Sequence, residues 1–152
     1  GHFQVAASLG KKLLMLGKKE QLDGAKQIKA EIDKAIKLDP NNDLAYHALG
    51  RWHRRMAEIG GFSRLLGNMF LGGVPKGSFE ESEKNLKKAA EMKPEYVNHH
   101  LELGITYESL KKYDLAAQEF QKAIDLPKTT SKDDVLKAQA QAELAKLKTK
   151  KK

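Results

Sequence analysis

Apolar residues along the chain return at helical, not alternating, intervals. Ile28, Ile32, Ala35 and Ile36 form one stripe, Leu86, Ala89 and Ala90 a second, and Leu115, Ala116, Phe120, Ala123 and Ile124 a third. Each stripe runs into a proline: "DKAIKLDPNN" at Pro40, "KKAAEMKPEY" at Pro94 and "QKAIDLPKTT" at Pro127. Proline cannot continue a helix and pushes the residue before it out of the helical region, so each marks a stop. The three endings resemble one another, which makes them an internal repeat. After the first two stops come the partner helices, "NDLAYHALGRWHRRMAEI" and "EYVNHHLELGITYESLKKYD". Both carry a Leu-Gly pair, Leu49-Gly50 and Leu103-Gly104, where glycine lets a neighbouring helix approach closely.

At these residues the chain resembles the tetratricopeptide repeat, a helix-turn-helix unit of about 34 residues. Leu103, Gly104, Tyr107, Ala116, Phe120 and Ala123 fall at the spacing of its signature positions. The second unit matches through Tyr46, Leu49, Gly50 and His53, and through Ser82, Leu86, Ala89 and Pro94 once about twenty intervening residues are removed. A first unit would use Leu9-Gly10 and a second helix from about Lys18 to Leu38. "KTTSKDDVLKAQAQAELAKLK" reads as a capping helix, with Thr130 or Ser131 at its start and an apolar stripe of Leu136, Ala140, Leu144 and Leu147. The expected fold is all-α, a right-handed superhelical stack of about three helix pairs within one domain, residues 1–148. Repeat 1 covers about 3–40, repeat 2 about 41–94 with an insertion at 58–77, repeat 3 about 95–127 and the cap about 131–148. Residues 149–152 form a basic tail.

The insertion holds "GGFSRLLGNMFLGG", glycine-bracketed and nearly free of charge. Phe62, Leu65, Leu66, Met69 and Phe70 share one helical face. Two readings follow. Either this face packs on Trp52, Met56 and Phe79 and fills a gap within repeat 2, or with Trp52 and Met56 it walls an apolar groove for an acyl chain or a partner's helix. Pairing of the insert with a second copy is a third reading.

The insert and the ending "AIDLPKTTSKDDVLKAQAQAELAKL" are similar to those of the regulator of microtubule dynamics family. The similarity runs from about residue 5 to 148 and is carried most by "LGRWHRRMAEIGGFSRLLGNMFLGGVPKGSFEESEKNLKKAAEMKPEY". Bacterial proteins carry similar repeats. The resemblance implies a binding module without catalytic activity. One family member is a mitochondrial outer-membrane tether, in which the domain is implicated in phospholipid binding and transfer. The family's membrane anchor and partner-recruiting motif lie outside this domain.

Charge and candidate chemistry narrow the picture. With 28 Lys/Arg against 20 Asp/Glu the chain carries a formal +8, much of it in the terminal "KLKTKKK", while residues 78–127 are net acidic. By repeat geometry Leu44, His47, Ala48, Arg51, Arg54 and Arg55 face a concave groove, and Asn98, Leu101, Glu102, Ile105, Glu108 and Ser109 face it from the next repeat. His47, Arg51, Arg54 and Arg55 could hold the carboxylates of an acidic protein or peptide, since guanidinium presents forked donors. The alternative is a face paired internally with Glu58, Glu102 or Glu108.

Metal ligation is not indicated: His99 and His100 point to different sides of a helix, and His47 and His53 are six apart. There is no cysteine and no nucleophile-base arrangement, so no enzyme and no cofactor is expected. The aromatics occupy core positions, which argues against nucleic-acid binding. No apolar run is long enough for a transmembrane segment. The chain begins "GHFQ" without an initiating methionine, so an upstream signal or anchor is expected to have been removed.

Overall fold

The computed structural model describes the backbone of residues 2–150 and the side chains of residues 17–150. Among the described residues it is all-helical: α1 His2–Leu38, α2 Asp43–Ala57, α3 Gly61–Phe70, α4 Phe79–Met92, α5 Val97–Ser109, α6 Tyr113–Asp125 and α7 Lys132–Lys150. α1, α4 and α6 each end two residues before Pro40, Pro94 and Pro127. The starts of α2 and α4 are capped from the side chain. Asn42 Oδ1 accepts from Ala45 N at 3.3 Å, and Ser78 Oγ accepts from Glu81 N at 3.1 Å.

The first unit differs from a helix pair. Residues 2–38 form a single helix, because no proline or turn interrupts them and Gly17 and Gly24 sit in open surroundings where a bare helical backbone is tolerated. The Leu9-Gly10 pair expected to mark a first helix lies outside the residues whose side chains are described.

The helices pack in sequence, α1 on α2, α2 on α4, α4 on α5, α5 on α6, and α6 on α7, with α7 also reaching α5. Two equivalent glycines set the closeness of the pairs. A Cβ on Gly104 would stand 2.6 Å from the Phe120 ring, and one on Gly50 would stand 2.5 Å from Leu86 Cγ and 3.1 Å from the Ser82 carbonyl. Gly50 and Leu86 are 36 residues apart in the chain, whereas Gly104 and Phe120 are 16 apart. The twenty additional residues of the first pair therefore leave and return without separating its helices. Where they return, Gly77 lies against the His53 carbonyl and the backbone of α2, with no room for a side chain.

The main core is built from Leu86, Leu101, Leu103, Tyr107, Phe120 and Leu147, with alanines of α4, α6 and α7 between them. Lys137 of α7 donates to the carbonyls of Ala123 at 3.0 Å and Ile124 at 2.7 Å and to that of Leu126, satisfying the open end of α6. α7 is thus held by a charge-assisted joint as well as by Ala140 and Leu147, both buried.

Gly50→Ala should destabilise the protein by about 1–3 kcal/mol in urea unfolding, because the added methyl meets backbone as well as Leu86. Gly24→Ala, in open space, should be neutral or stabilising by up to about 1 kcal/mol. Equal effects of the two would show that the contact at Gly50 is not close.

Candidate functional site

Trp52 is the joint between the long first helix and the repeats. Its ring is buried and its Nε1 donates to the Ala25 carbonyl at 2.8 Å, with Lys29 Nζ 5.7 Å from the ring centroid. On either side of this joint α1 and α2 separate into grooves. One, of about 630 Å³, has Ala25, Ile28, Ile32, Trp52 and Met56 as apolar walls and His47, Arg51 and Arg55 as polar ones. A second, of about 580 Å³, is closed by α3: Leu22 and Ala25 of α1, Met56 and Ile59 at the end of α2, and Leu66, Phe70 and Val74 of the insert line it, with Lys18 and Gln21 as polar members. Gln21, Ala25 and Met56 belong to both, so the grooves adjoin.

The insert is built to stand outside the core. Arg64, the single charged residue of α3, turns back and donates to the Met56 carbonyl at 2.7 Å and the Pro75 carbonyl at 3.2 Å. Gly72 and Gly73 adopt φ of 79° and 101°, the left-handed region that suits glycine, and Asn68 Oδ1 then accepts from Val74 N at 2.9 Å. Inside this loop Gly67 lies against Val74, where a Cβ would be 2.4 Å from Cγ2.

These contacts correct the gap-filling reading. Phe62, Leu65, Leu66, Met69 and Phe70 are 75, 54, 39, 64 and 62% exposed. No gap is left to fill, since α2 and α4 already touch through Gly50 and Gly77. Trp52 faces α1, and Met56 is half-buried in the groove wall.

The polar residues expected on one concave surface divide. Arg54 is buried and forms an ion pair with Glu102, and its Nη1 also donates to the Glu102 carbonyl at 3.0 Å and to Thr106 Oγ1 at 3.1 Å. Thr106 in turn meets Ser82 Oγ at 3.0 Å, which ties α2, α4 and α5 together. Arg54, Glu102 and Leu101, which has no exposed surface, therefore belong to the interior and not to an open groove. The physical reason is the Glu102 carboxylate, which in a buried place needs a cation beside it. Arg51 Nε lies 3.6 Å from Glu102 Oε1 with its side chain 41% exposed, and Arg55 is exposed. Asn98 and Ile105 are half-buried on α5, Ile105 against the main core.

His47 is also turned inward. Its Nδ1 is 2.8 Å from His99 Nδ1, and His99 Nε2 is 2.7 Å from Asp43 Oδ2. With the Asp43 carboxylate accepting from His99 Nε2, His99 Nδ1 is free to accept from His47, so two neutral rings complete the chain. Both rings cannot carry a second proton, because two N–H groups would then face each other. Burial first, and His99 second, push His47 down to about 4. Burial also lowers His99, against the pull of Asp43. His100 points the other way, to Glu119 Oε2 at 2.7 Å and the Pro94 carbonyl at 2.6 Å. Burial disfavours its charge, yet these hydrogen bonds raise it overall.

Leu22, Ala25, Ile28 and Ile32 of α1, Ile59 just after α2 and Val74 of the return loop complete the grooves and are not among the expected site residues. Leu22, Ala25, Ile28 and Ile32 do carry a helical spacing that could have placed them there.

The sequence profile of the regulator of microtubule dynamics protein 1-3 family matches residues 1–148. The chain is 32% identical over 125 residues to regulator of microtubule dynamics protein 1 of Rattus norvegicus, covering 82% of this chain and 40% of the relative. The Homo sapiens protein of the same name is 31% identical over the same length and coverage. Regulator of microtubule dynamics protein 3 of Xenopus laevis is 28% identical over 106 residues, 69% of this chain and 23% of the relative. The chain spans about 40% of the length of the mammalian relatives it matches.

Arg54→Ala should cost about 3 kcal/mol, because it leaves the buried Glu102 carboxylate with only the partly exposed Arg51 beside it at 3.6 Å. The histidine chain gives a pH dependence of defined sign. The folded-state value of His47 lies below its unfolded one, so the unfolded chain takes the proton first. Its stability contribution is complete above pH 6.5 and is lost as pH falls toward 4. His100, being raised, acts in the opposite sense, so the readout is a difference. Between pH 7 and pH 5 unaltered protein should lose about 2 kcal/mol more than His47→Gln in urea unfolding. Parallel pH profiles would contradict this account.

Proposed function

Because the chain belongs to the regulator of microtubule dynamics protein 1-3 family, we propose that it is a non-catalytic protein-interaction module that receives a partner segment in the groove between α1 and α2. The observation that carries this reading is an apolar trough left open to solvent and edged by two cations. Ile28, Ile32, Trp52 and Met56 supply apolar wall, and Arg51 and Arg55 lie among them. An amphipathic partner segment would lay its apolar residues into the trough and turn acidic residues toward the arginines. The names of the relatives assign those proteins to the regulation of microtubule dynamics. A protein partner in that setting is the natural occupant.

A second reading is binding of a phospholipid or another apolar ligand. Its specific support is the neighbouring groove of about 580 Å³, where Leu22, Met56, Ile59, Leu66, Phe70 and Val74 present carbon and Lys18 offers one cation for an anionic head.

The two readings separate experimentally. Arg51→Glu with Arg55→Glu, or a rise in ionic strength, should weaken capture of an acidic partner peptide at least tenfold by calorimetry. Capture that ignores both charge and salt would remove the first reading. Leu66→Asp should abolish a lipid seen to co-purify by native mass spectrometry while leaving helicity in place. A protein that carries no lipid and takes up none would remove the second.

A further inference from the structure

His47, Arg51 and Arg55 stand one turn apart along α2, at i, i+4 and i+8, and all three line the groove between α1 and α2. His47 is the most enclosed of them, at 7% exposed. Its Nδ1 is turned inward to His99, while its Nε2 has no hydrogen-bond partner among the described residues and keeps access to solvent. The two nitrogens of an imidazole lie on opposite sides of the ring, so the unused one is left at the groove wall.

The relay behind the ring decides what that nitrogen can do. The Asp43 carboxylate accepts from His99 Nε2, so His99 Nδ1 has no proton and must accept from His47. The proton of His47 is therefore on Nδ1, and Nε2 meets the groove as a bare lone pair. With the proton on Nε2 instead, two lone pairs would oppose each other across the 2.8 Å between the rings. The groups around His47 keep it in this state. His99 and Glu102 face it from α5, Arg51 and Arg54 from α2, and Tyr96 meets its edge, while Asp43 acts on it through His99. The α1 wall of this groove contributes no titratable side chain. Burial, His99 and the two arginines outweigh Glu102, and His47 takes a second proton only at about 4.

Such an acceptor discriminates between occupants. An apolar side chain laid over it strands the lone pair, and a carboxylate meets it with no proton between them. A hydroxyl or side-chain amide satisfies it by donating. Arg51 and Arg55, on the same face, require the opposite chemistry, an anion. A partner helix lying along α2 advances about 6 Å in four residues, as α2 does, so its side chains meet the three residues in step.

Resting on the groove reading given above, we propose that His47 is a specificity-determining hydrogen-bond acceptor that selects a partner helix with a donor side chain, serine, threonine, asparagine or glutamine. That donor lies one turn from the first of two acidic residues, themselves one turn apart, that meet Arg51 and Arg55.

Two measurements test this. In nitrogen-15 NMR at pH 7, unaltered protein should show His47 protonated on Nδ1 and not on Nε2; the reverse overturns the inference. The second uses synthetic amphipathic helical peptides with a leucine face, two glutamates four residues apart, and serine, alanine or aspartate four residues before the first glutamate. By calorimetry at pH 7 the serine peptide should bind about tenfold more tightly than the alanine peptide, and the aspartate peptide more weakly than either. Between pH 7 and pH 5 the aspartate peptide should gain at least threefold on the alanine peptide, because a proton taken up at Nε2 turns the acceptor into a donor. In His47→Leu the preference for serine should vanish while the need for the glutamates remains. Equal binding of the three peptides, with the dependence on glutamates and salt intact, overturns this inference and leaves the groove reading standing. Failure of every peptide to bind overturns the groove reading and this inference with it.

Discussion

The close packing of α2 on α4 governs the molecule. Gly50 brings the two backbones within reach of Leu86, and Gly77 seals the far end of the contact against the turn of α2. No side chain from the twenty inserted residues can enter between them. An apolar helix that would otherwise bury itself is therefore held at the surface, and Arg64, Asn68 and the two left-handed glycines fix how it is held. The groove closed by α3 and the exposed phenylalanines follow from this exclusion.

A second layer of constraint joins the repeats to one another. Arg54 and Glu102 form a buried pair that shares Thr106 and Ser82, and the chain from Asp43 through His99 to His47 crosses the same interface a few turns away. Buried charge of this kind adds little net stability over an apolar replacement, but losing one member is costly. It fixes the angle between α2 and α5 by hydrogen-bond geometry rather than by packing alone. The consequence for function is that charge expected to be open to a partner is consumed internally, leaving Arg51 and Arg55 at the groove.

Much of the fold was legible because its signals are local. The prolines after α1, α4 and α6, the Leu-Gly pairs and the apolar stripes each act within a few residues, and the extra helix was recognisable from its own periodicity. The single long α1 was less legible, since a degenerate first unit offers no local marker that distinguishes a pair from a continuous helix. The site was read only in part. Arg51, Arg55, Trp52 and Met56 were placed at a groove, but Arg54 was given to the same surface by regular repeat geometry, and its real partner lies 48 residues away in sequence. Nothing in a stripe of apolar positions reveals that an insert has been excluded from the core; that depends on how closely two other helices meet.

Because the chain contains no cysteine, a single introduced thiol can read the exclusion of α3 directly. Met69→Cys, on the outward flank, should react with a thiol reagent in the folded protein at close to the rate of a free peptide thiol, while Ala89→Cys, at a fully buried position of α4, should be protected until the protein unfolds. Protection of the residue 69 thiol equal to that at residue 89 would place the insert inside the core and contradict the account.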